Sequence, residues 1–140
     1  MRRTVIARAA LAAAPILFLG LLGTLAFAAA NIDLTDFDDD VMRSMDDTLK
    51  SLDSDLATRN ASEAQAHAQL IRDGLHWAEE YFTRKGNVEA AVQLAKQGEQ
   101  LATDVAKSVA ASDFDTALTN YDSLVKTCRR CHDAYKPPEL

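Results

Sequence analysis

Between residues 42 and 135 the apolar side chains recur at alternating intervals of three and four, the spacing of one face of an α-helix. Met42, Met45, Leu49, Leu52 and Leu56 make a first stripe, and Ile71, Leu75, Ala78 and Phe82 a second. Ala91, Gly98, Ala102, Val105 and Val109 make a third, narrow and built of small residues, with Leu94 and Leu101 at its side, which predicts close approach by a neighbouring helix. Phe114, Leu118, Tyr121, Val125, Cys128, His132 and Tyr135 make a fourth. No segment alternates with period two, so no strand is expected.

The residues between the stripes read as helix ends. The aspartates from Asp33 to Asp40 suit the positive end of a first helix or its solvated, frayed start. Asn60, three positions before Glu63, is a candidate cap for the second helix. Arg84-Lys85-Gly86-Asn87 reads as that helix's basic last turn, a glycine exit and the next cap. The third helix then runs roughly from Val88 to Ala111, and Ser112-Asp113-Phe114-Asp115 resembles a capping box for the fourth, which Pro137-Pro138 stops. Links this short force consecutive helices to run antiparallel, so the expected fold is all-α, an up-down-up-down four-helix bundle.

The first 30 residues stand apart. Arg2, Arg3 and Arg8 precede an uncharged apolar run from Ala9 to Phe27, and Ala26-Phe27-Ala28 and Ala28-Ala29-Ala30 are both small-x-small cleavage signals. Residues 1–30 are therefore expected to be an export signal, removed on delivery to the periplasm; the competing reading is an uncleaved membrane anchor, since Ala9 to Ala30 is just long enough to span. Residues 31–140 are the expected domain. The chain carries 15 basic and 21 acidic residues, and removal of three arginines and no acid takes the net charge from -6 to -9. So acidic a domain is a poor partner for nucleic acid and a good one for a basic protein surface.

One motif carries chemistry. Cys128-Arg129-Arg130-Cys131-His132 has the C-x-x-C-H spacing that attaches a c-type haem. On a helix the two thiols share a face and can each form a thioether to a haem vinyl group, while the histidine, four positions from the first cysteine, can ligate the iron axially. A structural zinc site on these cysteines needs four ligands, and the remaining histidines, His67 and His76, lack paired-ligand spacing. A thioredoxin-like pair needs a strand-helix-strand context, and a plain disulfide leaves His132 unexplained. No general base, nucleophile pair or polar cleft is legible, so an enzyme is not expected.

In such a bundle the C-terminal end of the fourth helix lies beside the start of the first, the end of the second and the start of the third. Haem held there would be walled by Phe37, Val41, Tyr81, Phe82, Val88 and Leu94. His67 belongs about 20 Å away along the second helix and reads as a satisfied core histidine, and His76 as solvated. Met42 and Met45 both lie at the right end of the first helix, and methionine is a known partner for a histidine-ligated haem, although it also fills cores.

With Cys128 to His132, Asp133, Ala134 and Tyr135 closing its last helix, the chain resembles the cytochrome c-prime class, including its low-spin methionine-ligated relatives. Its compact length and the Leu124 to Tyr135 segment are also similar to cytochrome b-562. The resemblance covers most of residues 33 to 136, and its specific part is the C-terminal motif. It implies one covalent haem c with His132 as axial ligand, thioethers at Cys128 and Cys131, and a sixth ligand from the first turns of helix one. Aligned on the b-562 pattern, Met42 takes that place, with Met45 as the alternative. The class usually has Arg after the motif's Tyr; Lys136 stands here. Six-coordinate iron implies electron transfer with a redox protein partner; an empty sixth site implies a high-spin haem binding nitric oxide or carbon monoxide. Relatives of this class often form homodimers through their first two helices, but the outer faces here offer no clear apolar patch.

Overall fold

The computed structural model describes residues 33–136, so the expected export signal at 1–30 and Pro137-Pro138 lie outside the described residues. Four helices and no strands are found in that range: α1 (Asp39–Thr58), α2 (Ala61–Lys85), α3 (Glu89–Ala110) and α4 (Phe114–Tyr135). Before α1, residues 33–38 form a tight turn in which the Phe37 amide donates to the Leu34 carbonyl and Asp33 accepts from both the amide and the hydroxyl of Thr35. The acidic run is thus split between this turn and the first turn of α1, where the Asp38 carboxylate caps the Asp40 amide.

The helix ends differ from the sequence reading at three places. Asn60 occupies the N-cap position of α2, but its side chain makes no capping hydrogen bond. α2 does exit through Gly86, at φ +72°, yet the N-cap of α3 is Val88 and not Asn87. The cap of α4 is Asp113, whose carboxylate accepts from the Thr116 amide, one residue later than the Ser112 start. Ser112 instead adopts a left-handed φ of 59°, turning the chain out of α3. Two adjacent polar residues are equally good caps in sequence, and only the path of the loop chooses between them.

The four helices form a bundle in which α2 packs most closely on α3, α3 on α4 and α1 on α2, while α1 and α4 meet along the sparsest seam. The stripe of small residues explains the closest pair. Ala91, Ala95, Gly98, Ala102, Val105 and Val109 are all buried. A Cβ at Gly98 would come within 3.0 Å of a Leu75 methyl, so the α2 side chain already occupies the space the glycine leaves. The main core gathers Leu52, Leu56, Ile71, Val105, Val109 and Leu124, each essentially excluded from water and each stabilising by about 1.5–3 kcal/mol. A second cluster closes the other end, where Tyr81, Phe82, Val88 and Ala91 meet Leu34, Phe37, Met42, Trp77 and Tyr135.

On α4 the expected stripe is partly wrong. Leu118 is exposed and Val125 only half-buried, whereas Ala117, Leu124 and Thr127 join Phe114 inside. The inward face therefore lies about one position away from the predicted line. Thr127 escaped the sequence reading because it is polar; its hydroxyl donates to the Ser123 carbonyl within its own helix, so its burial leaves no unpaired group.

Candidate functional site

The C-x-x-C-H motif occupies the last two turns of α4. Cys128 and Cys131 are half-buried and carry free thiols, with Cys128 packed on the edge of the main core. Burial pushes both thiols up to about 11, helped at Cys128 by repulsion from Cys131. Both are therefore neutral thiols near pH 7, poor nucleophiles and poor metal ligands as they stand.

His132 does not lie on the buried face where the stripe put it. Its side chain is at the surface, and its ring makes no hydrogen bond among the described residues. Partial burial, and next Lys136, lower its pKa, outweighing the pull of Asp46 and Asp133 in the other direction. The imidazole is consequently neutral at pH 7, the form that donates a lone pair to a metal. Asp46, on α1, acts electrostatically on both Cys128 and His132 and so lies across the α1–α4 seam from the motif. Nothing in the sequence signalled that pairing, because Asp46 sits beside the apolar stripe of α1 and not on it.

The two methionines have different surroundings. Met42 is half-buried and packs against the end cluster, which Tyr135, three residues beyond His132 on α4, also borders. Met45 is buried against α2: its sulfur and Cγ fill the space beside Gly74 so closely that a Cβ there would collide with them. The glycine makes room for that sulfur, which leaves Met45 committed to α2.

Of the expected wall residues, Tyr81, Phe82 and Val88 are buried and Phe37, Val41 and Leu94 half-buried. Phe37 meets Tyr81 edge-on at 4.7 Å and Trp77 at 5.1 Å, and Phe82 lies 6.1 Å from Tyr135, so aromatic rings run from α2 to the last turn of α4. The turn before α1 is pinned to this cluster. Asp36 accepts from the Tyr81 hydroxyl at 2.6 Å and from Lys85 Nζ at 2.7 Å. Those two donors hold its carboxyl down at about 2, and burial together with the Asp36 charge raises the Tyr81 phenol.

The spare histidines fall away from the motif. His67 is half-buried and faces the Asp55 carboxylate of α1 at 2.6 Å, a satisfied role. His76 is exposed, as expected, but among carboxylates. Arg129, Arg130 and Lys136 are all exposed.

Compared with protein-family models, curated proteins and solved structures, the chain finds no match.

Proposed function

We propose that the chain is an exported, periplasmic c-type cytochrome that transfers electrons, with one haem c attached through Cys128 and Cys131 and held axially by His132 and Met42. The single observation that carries this reading is the C-x-x-C-H motif on the last turns of α4, beside the loosest seam of the bundle and at the end where Met42 packs. The donor set fits the group. Two half-buried thiols share one side of a helix, a neutral imidazole follows with its ring uncommitted, and an aromatic, apolar end lies alongside.

An antiparallel course supports the choice of methionine. The Tyr121 hydroxyl donates to the Leu49 carbonyl at 3.2 Å, joining α4 to α1. Seven residues onward along α4 is Cys128, and seven residues back along α1 is Met42, so at equal rise the two lie within about one turn of each other. The contacts of Asp55 with His67 and of Asp36 with Tyr81 fit the same antiparallel course for α1 and α2. Met45 lies one turn further from the end, and its sulfur is engaged by α2.

When bound, the haem supplies a one-electron redox centre whose potential is raised by methionine ligation. The chain's own residues do the rest. Tyr135, Phe82 and Phe37 would keep water from the apolar edge; Arg43, Arg129, Arg130 and Lys136, all exposed, are the candidate propionate partners, each equally able to serve as a solvated surface charge. The acidic surface steers a basic redox protein toward the molecule, and no catalytic residue is assigned.

An optical spectrum of the reduced, periplasmically expressed protein tests this. Sharp low-spin bands are expected, with conversion to high spin in Met42→Ala and not in Met45→Ala. High-spin bands in the wild type would instead support the gas-binding form, and protein without covalent haem would remove the larger claim.

A further inference from the structure

We propose that His76, Glu79 and Glu99 form a binding site for one divalent cation of the zinc class on the outer edge of the α2–α3 pair. Nδ1 of His76 lies 3.4 Å from a Glu99 oxygen and 3.9 Å from a Glu79 oxygen, and one donor atom from each residue lies within 4.8 Å of the other two. Donors on a tetrahedral zinc with bonds of about 2.0–2.2 Å stand about 3.3–3.6 Å apart. The His76–Glu99 edge already has that spacing, and Glu79 closes the remainder by rotating its carboxylate.

The surroundings orient the donors. Lys96 Nζ holds the other oxygen of Glu79 at 3.4 Å, which turns the nearer one toward His76. The second ring nitrogen of His76 faces the Glu80 carboxylate at 3.7 Å. Metal on Nδ1 requires the proton on Nε2, and a carboxylate beside that nitrogen is the outer-shell partner that fixes this tautomer and makes the imidazole a better donor. One neutral imidazole and two carboxylates carry two negative charges, which a divalent cation cancels.

The scaffold is stiff where it needs to be. His76 and Glu79 sit one turn apart on α2, and Glu99 follows Gly98, where a Leu75 methyl fills the space a side chain would need. Both carboxylates are only 20–30% exposed, so they are less hydrated than ordinary surface acids before any ion arrives. The fourth position faces solvent through His76, which is 55% exposed. A mixed nitrogen and oxygen donor set of this kind suits zinc better than calcium or magnesium, which take oxygen donors. The site shares no residue with the haem motif.

Calorimetric titration of the haem-loaded protein with zinc chloride at pH 7.5 tests the site. One equivalent should bind, with affinity reduced about tenfold or more in both His76→Ala and Glu99→Gln. Circular dichroism is expected to be unchanged in both, since neither side chain belongs to the core. Absence of saturable binding, or equal binding in wild type and both variants, would overturn the proposal, leaving His76 as a plain ion-pair partner of its carboxylates. If the chain carries no haem, the titration is repeated after alkylation of Cys128 and Cys131. Zinc retained after alkylation supports this site whatever becomes of the cytochrome reading, and zinc lost on alkylation assigns it to the thiols.

Discussion

At the scale of the residue, the side chains that matter most are those whose partners come from another helix. Asp36 is one. Lys85 and Tyr81 both donate to its carboxylate and hold its pKa near 2, against an ordinary value of 3.8. Because the folded value is the lower, this contact stabilises the fold above about pH 4 and its contribution fades as pH falls through 2. Carboxyl NMR should find Asp36 titrating near 2, well below its ordinary value of 3.8, and the acid midpoint of unfolding should rise in Asp36→Asn. A carboxyl that titrates near 4 would mean that the turn is not pinned to α2 in solution. The methionines make a similar point. By periodicity Met42 and Met45 are equivalent members of one stripe, ranked only by the family resemblance, and what separates them in the fold is Gly74, on a different helix, which receives the sulfur of Met45.

At the scale of the element, periodicity predicted four helices and, for the third, its bounds to within a residue, because each buries one apolar face over five or more turns and that pattern is local; the start of α1 was left open along the aspartate run and falls at its end. Caps and the exact facing of α4 were harder to read. Asp113 and Ser112 compete for one position, and the α4 stripe admits two registers one residue apart, of which α3 selects the one that buries Leu124 and Thr127. Leu124 lies fully inside, close to Gly98 of α3. Leu124→Ala should therefore cost about 2–5 kcal/mol, read as a lower urea midpoint with an unchanged slope. Leu118→Ala, on the exposed side, should move the midpoint far less. Similar losses for both would return the inward face of α4 to the line drawn from sequence.

At the scale of the whole molecule, the uneven packing around the bundle matters. α2 and α3 form the tight pair, and α1 is held by α2 while barely touching α4. Local opening follows such differences in contact. Amides of α1 should thus exchange with solvent faster than those of α2 and α3 in a Cys128→Ser/Cys131→Ser variant that cannot attach haem. If the proposed haem is attached in the wild type, protection there should rise along the α1 face toward α4, since both sides of the seam would then hold one group. Uniform protection in the two proteins would place the haem elsewhere.

The sequence by itself determined the four helices, the acidic balance and the C-x-x-C-H motif, because these depend only on residue type and on intervals of a few positions. Tertiary structure alone decided that His132 stands at the surface, that Asp46 faces it across the seam, that Met45 is spent on Gly74 while Met42 remains at the motif's end, and that His76 sits among Glu79, Glu80 and Glu99. Each of these is a meeting of helices far apart along the chain. Local spacing fixes which face a residue occupies to within a position; only packing fixes what that face meets.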